Sequence, residues 1–164
     1  MYNRISQVGN ALNELEVHEQ KTSEAIHYNS ASSRPELWKE SLELILEHPL
    51  LGVGTGDIKD ELMKKYRQHH FDYAISRKLN PHNQFLHTTT SIGIIGLLIL
   101  LFCFTLQAVT AIKKKDVLYF CFLFVIVLNA LTESVLEVEK GIILFGFFSM
   151  LFYTSKAEIP AAQN

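Results

Sequence analysis

The stretch Asn80-Pro81-His82-Asn83-Gln84-Phe85-Leu86 runs into an uncharged apolar segment that begins near Ile92. It sets a titratable imidazole at the start of a membrane helix, where bilayer meets water. Asn80 is a good N-cap and Pro81 suits the first helical position, so the pattern predicts His82 in the first turn. There it would lie beside free backbone N–H groups and the positive end of the helix dipole. Such a place can hold an anion, and a neutral imidazole can move a proton near it. Residue type alone leaves His82 open between helix-end ornament and chemistry.

Other side chains carry possible chemistry. Arg34 opens an earlier helix. It is either a surface arginine or an anion clamp, because guanidinium contacts phosphate oxygens bidentately. Glu133 ends an apolar run, and an ionisable group near membrane depth needs a partner or a task. Gly52-Val53-Gly54-Thr55-Gly56 could cradle phosphate, but it lacks the Gly-Lys-Ser/Thr ending of a P-loop and follows no strand. A plain helix–helix turn is the competing reading. His69, His70, His82 and His87 fit no standard zinc spacing.

The elements that must position these groups follow from local signals. Ser33-Arg34-Pro35-Glu36 reads as a capping box, and Leu37, Trp38, Leu42, Ile45 and Leu46 recur at helical spacing. His48-Pro49 should end that helix. A second helix should start around Thr55–Asp57, with Ile58, Leu62 and Tyr66 along one stripe. Ile5, Val8, Leu12 and Leu15 could mark a helical face in the polar first 33 residues, and His27 to Ser33 reads as a loop.

Charge and hydropathy divide the chain. The whole carries a net charge of -2 and 48% hydrophobic residues. Residues 1–91 hold 10 Lys/Arg and 12 Asp/Glu, and the remainder holds 5 of each. No basic excess exists to grip a nucleic-acid backbone. Ile92 to Ile112 contains 21 residues without a charge, enough for a bilayer span. Val117–Leu131 and Gly141–Tyr153 are shorter apolar runs that read as a helical hairpin around Thr132–Lys140. Cys103 and Cys121 lie in apolar runs and read as buried small hydrophobes. Lys113-Lys114-Lys115 places that end in the cytoplasm, which puts residues 1–91 outside. No apolar signal region precedes them, so either the orientation is reversed or, the favoured reading, this is the C-terminal part of a longer multispan protein.

Three stretches in order resemble the O-antigen ligase and polysaccharide polymerase family. Arg34 to Trp38, running on to Glu47-His48-Pro49-Leu50-Leu51-Gly52-Val53-Gly54-Thr55-Gly56-Asp57, looks like the family's Arg-x-x-x-Trp helix and glycine turn. Pro81 to Leu86 with Gly93-Ile94-Ile95-Gly96-Leu97 resembles the junction that ends its large external loop. Leu131 to Leu136 with Gly141-Ile142 resembles a hairpin of ligase-like members. The resemblance implies transfer of a glycan from undecaprenyl pyrophosphate to a hydroxyl. The acceptor is lipid A core in ligases and a growing polysaccharide in polymerases. It implies His82 as catalytic base and Arg34 as pyrophosphate binder, with no metal or soluble cofactor. Asn83, Gln84 and Glu133 are added as candidate substrate contacts. Full-length members carry many more membrane helices before the external loop, which again makes this chain part of a longer one.

The expectation is an all-α integral membrane protein of the bacterial inner membrane. It has a polar segment at 1–33 and a periplasmic helical loop region at 34–91. A transmembrane region at 92–155 has spans near 92–112, 117–133 and 139–154, and a cytoplasmic tail occupies 156–164. Partners are the lipid-linked glycan, its acceptor and membrane lipid, with no nucleic acid. A different class, a non-catalytic membrane docking protein with His82 as a capping residue, stays open.

Overall fold

The computed structural model describes residues 32–155. The expectations for the first 31 residues and for the tail from 156 lie outside the described residues. What is described is helical, with no strand among the described residues. In chain order the elements are α1 (Arg34–Glu47), α2 (Ile58–Gln68), α3 (Asp72–Arg77), α4 (Gln84–Lys113), α5 (Val117–Thr132), a 3-10 turn (Val135–Glu137) and α6 (Glu139–Thr154).

Helices α1 to α3 enclose a small core of Leu37, Leu44, Ile58, Leu62, Met63, Tyr66, Phe71 and Ala74. The α2 stripe of Ile58, Leu62 and Tyr66 is buried as its spacing predicts. The α1 stripe divides: Leu37 is buried and Trp38 and Ile45 half-buried, whereas Leu42 and Leu46 stay exposed and Leu44, outside the stripe, is buried instead. Pro35 sits in the first turn of α1, and the helix stops at Glu47, before His48-Pro49. Ser33 is the N-cap residue and is fully buried, but its side chain makes no cap hydrogen bond, so the hydroxyl half of the expected capping box does not form. The short helix α3 was not expected.

Helix α4 has 30 residues and is long and apolar enough to cross a membrane. It is interrupted at Gly93, whose backbone (φ 75°, ψ -168°) is not helical. In an unbroken helix the Thr90 carbonyl would accept from the Ile94 N–H. Here Ile94 N donates to Pro49 O (2.9 Å), while Thr90 O accepts from Val53 N and Ser91 O from Gly54 N, both at 2.9 Å. The glycine turn after α1 therefore takes over hydrogen bonds that the break releases, and none of these buried groups is orphaned. Two glycines permit this approach. A Cβ at Gly93 would lie 2.2 Å from Leu50 O, and one at Gly52 would lie 2.5 Å from Ser91 C. The Gly52–Gly56 loop is thus a backbone clasp on α4, beyond the plain turn expected of it.

Beyond the break, Ile94 to Lys113 rises about 30 Å at 1.5 Å per residue, the thickness of a hydrocarbon core. α5 and α6, with 16 residues each, run back and forth beside it. Lys114 Nζ donates to Tyr153 O and lies over the Tyr153 ring, so the end of α4 and the end of α6 meet at one end of the bundle. Aromatic pairs such as Tyr119–Phe152 and Phe104–Phe145 join the helices inside. Cys103 and Cys121 are free and exposed, correcting the expectation of burial: apolar runs here turn many of their side chains outward.

Candidate functional site

His82 is held by contacts from three directions. Tyr66 Oη donates to Leu79 O (3.3 Å) and Trp38 Nε1 donates to Pro81 O (2.9 Å), pinning the chain on either side of Asn80. Asn80 Oδ1 then accepts from His82 N (3.0 Å) in a local Asx-type turn. His82 adopts a left-handed backbone with φ 47°, a region in which Asn, Asp and His are enriched among non-glycine residues.

This geometry corrects the expected helix start. Asn80 is not the N-cap and His82 is not in the first turn. The N-cap is Asn83, whose Oδ1 accepts from Leu86 N (3.1 Å), and α4 begins at Gln84. His82 stands just outside the helix, its side chain about one quarter exposed (24%). The Trp38 tether on the Pro81 carbonyl draws that segment toward α1, where continuing α4 upstream would not place it.

The residues expected to act together do meet. Arg34 Nη2 donates to Glu133 Oε1 (3.1 Å), and His82 Nδ1 lies 2.8 Å from Glu133 Oε2. One carboxylate thus bridges guanidinium and imidazole. An ionised carboxylate can only accept, so in the neutral imidazole this contact favours the proton on Nδ1, with Nε2 as the accepting nitrogen. Arg34 and Trp38 lie one helical turn apart on α1, hence on one face. The first reaches His82 through Glu133 and the second through Pro81, which gives the Arg-x-x-x-Trp spacing a structural meaning.

Asn83 and Gln84 spend their carboxamides on the chain itself. Asn83 Nδ2 donates to Leu131 O (3.1 Å). Gln84 Oε1 accepts from Leu136 N (2.7 Å), its Nε2 donates to Thr88 Oγ1 (3.1 Å), and its side chain is almost fully buried. Asn83 fastens the last turn of α5, and Gln84 the turn after it, to the start of α4. Buried His87 adds a further approach, with Nδ1 3.0 Å from Glu137 Oε1 but not in hydrogen-bonding geometry. Arg34 Nε and Ser134 Oγ are also buried without a hydrogen-bond partner. The hydroxyls of Thr89, Thr90 and Ser91 return to carbonyls of their own helix.

A second polar cluster lies apart from this one, between α1 and α2. Glu40, only 3% exposed, meets His69 Nδ1 at 2.7 Å, and Glu43 lies 3.9 Å from His69 Nε2. The ligand atoms of Glu40, Glu43 and His69 fall within 4.8 Å of one another, the one grouping of metal-ligand type among the described residues. Lys65 stands 3.9 Å from Glu43 and 2.6 Å from Glu47, and the Glu47 hydrogen bond raises its ammonium above the ordinary lysine range. With a lysine supplying counter-charge, the cluster works as an ion-pair clasp between helices. Sequence spacing did not single it out; neither Glu40 nor its distance from His69 follows a motif.

Residues 1–101 match the family model described as O-antigen ligase. No curated protein and no solved structure matches the chain. The family match covers the Arg-x-x-x-Trp helix, the glycine clasp, His82 and the first stretch of α4 past its break, so this chain belongs to the O-antigen ligase family.

Proposed function

We propose that the protein transfers a glycan from undecaprenyl pyrophosphate to an acceptor hydroxyl at the outer face of the bacterial inner membrane. Lipid A core is the preferred acceptor, and a growing polysaccharide, as in a polymerase, is the alternative. The observation that carries this reading is the meeting of Arg34 and His82 across Glu133, next to the start of the membrane helix. A lipid-linked donor presents its phosphates at headgroup depth, which is where that helix leaves the bilayer in this topology.

In the proposed step the acceptor oxygen attacks the anomeric carbon of the donor sugar. The bond from that carbon to the pyrophosphate oxygen breaks, and the hydroxyl proton passes to His82 Nε2. Pyrophosphate leaves as an anion, so it needs charge neutralisation more than a proton. Arg34, whose Nε has no partner, supplies that charge. Asn83 and Gln84 serve by fastening the turn that bears Glu133.

The proposed topology has three spans. Residues 32–91 are periplasmic, α4 crosses inward beyond Gly93, and α5 and α6 return as a hairpin. The lysines after α4 lie at the cytoplasmic end, in keeping with the excess of basic residues on that side. The 16-residue α5 and α6 span with help from their flanking residues.

The test is glycan transfer in membranes from cells that express the gene at its own locus. His82→Ala should reduce kcat by roughly 100-fold or more, the usual range for a lost general base. Arg34→Lys should raise the donor KM, because an ammonium cannot fork onto two phosphate oxygens. Full transfer by His82→Ala removes the mechanism.

A further inference from the structure

The family match ends at residue 101, whereas Glu133 comes from the turn between the last two helices. We infer that Glu133 is a positioning residue that orients the His82 imidazole and the Arg34 guanidinium together, so that the last hairpin completes a site begun by the loop region. The inference rests on the functional reading above and extends it to a part of the chain that the family match does not reach.

Three observations carry it. First, the two oxygens of one carboxylate take different partners: Oε1 meets Arg34 Nη2 at 3.1 Å and Oε2 meets His82 Nδ1 at 2.8 Å. A merely solvated acid at a turn has no reason to bridge residues 99 and 51 positions away. Second, the carboxylate is mounted on a fixed support. Glu133 N donates to Asn129 O (2.8 Å), and the turn is tied to α4 at Leu131 by Asn83 and at Leu136 by Gln84. Groups on both sides of Glu133 are thus immobilised, which is the condition for holding a reacting side chain in one geometry. Third, the contact selects a tautomer. By accepting from Nδ1, Glu133 directs the basic Nε2 away from itself, the role a carboxylate plays behind a histidine base. Through its other oxygen it turns the guanidinium, leaving Arg34 Nε unpaired.

The test compares Glu133→Ala and Glu133→Gln in the full gene product, reconstituted in lipid nanodiscs. Glutamine keeps the shape and an accepting oxygen, so it guards against a simple failure to fold. Nitrogen-15 NMR of labelled histidine reads the His82 tautomer. Glu133→Ala should mix the two tautomers and Glu133→Gln should largely keep the Nδ1-protonated one. Transfer kcat should fall on the order of 100-fold for alanine and less for glutamine, with donor KM rising beside it as Arg34 loses its partner. An unchanged tautomer in Glu133→Ala overturns the inference, as does a rise in KM alone, which would make Glu133 a substrate contact. Inactive His82→Ala with fully active Glu133→Ala sinks this inference and leaves the functional reading standing. Fully active His82→Ala removes that reading itself.

Discussion

The loop region and the helices that follow it treat apolar side chains in opposite ways. In α1 to α3, Leu37, Leu44, Leu62 and Tyr66 are buried against one another, and most charged residues other than Glu40 face out. In α4 beyond Gly93, and in α5 and α6, large side chains such as Phe102 and Met150 are more than 60% exposed, and α6 has no buried residue at all. An aqueous protein does not present such a continuous apolar surface. In the topology proposed above the difference is one of solvent. The first region gains from removing hydrocarbon from water; the second leaves hydrocarbon outward, toward lipid. Gly93 marks the seam.

The strongest way to break the comparison is to close that seam. Gly93→Val would drive a Cβ into the Leu50 carbonyl from a backbone that L-residues rarely adopt. The expected cost is on the order of 4 kcal/mol or more, with loss of transfer, read by thermal unfolding in nanodiscs and by the transfer assay. Retained stability and activity would mean that the clasp is not what joins the regions.

A matched pair sharpens the contrast. Leu37→Ala, in the enclosed core, should cost about 3 kcal/mol, whereas Phe102→Ala, with its ring outward, should cost under about 1 kcal/mol despite deleting more atoms. Unfolding midpoints of the two variants give the comparison directly. Equal losses would place Phe102 in a packed interface.

The smallest effect concerns pH. Burial, reinforced by the nearby Glu40 charge, pushes the Tyr66 phenol well above the ordinary tyrosine range. An acid whose folded pKa is raised contributes stability that is complete below the unfolded value, about 10, and lost as pH climbs past it. The loop region should therefore loosen above about pH 10 while Tyr66→Phe resists that change. Tyrosine absorbance against pH, followed alongside near-ultraviolet circular dichroism, separates the two.

Much of the loop region was legible because its signals are local. Pro35 and Pro49 bracket α1, and Ile58, Leu62 and Tyr66 mark one face of α2. The hairpin also appeared where the charge cluster interrupts two apolar runs. The start of α4 was misread because Asn80-Pro81 and Asn83 both make plausible caps, and the choice is made by Trp38, 43 positions upstream of Pro81. The exposure of Cys103 and Cys121 was misread because an apolar run does not say whether its neighbour is protein or lipid. Arg34, His82 and Glu133 were each visible as single candidates. That they touch depends on separations of 99 and 51 residues, which no periodicity encodes. The clasp at Gly93 was likewise hidden, since a glycine in an apolar run signals a weak point but not which backbone fills it.

The reach of the Arg34–Glu133 pair has a consequence for biosynthesis. The ribosome makes residue 34 well before residue 133, and α4 and α5 must be made before the carboxylate arrives. Until then α1 to α3 can form their core, yet Arg34 and His82 remain without the group that joins them. Chains released before residue 133 would keep the loop core and lack the bridge. The order of synthesis thus makes the bridge between Arg34 and His82 a late event, formed only once the turn after α5 is in place.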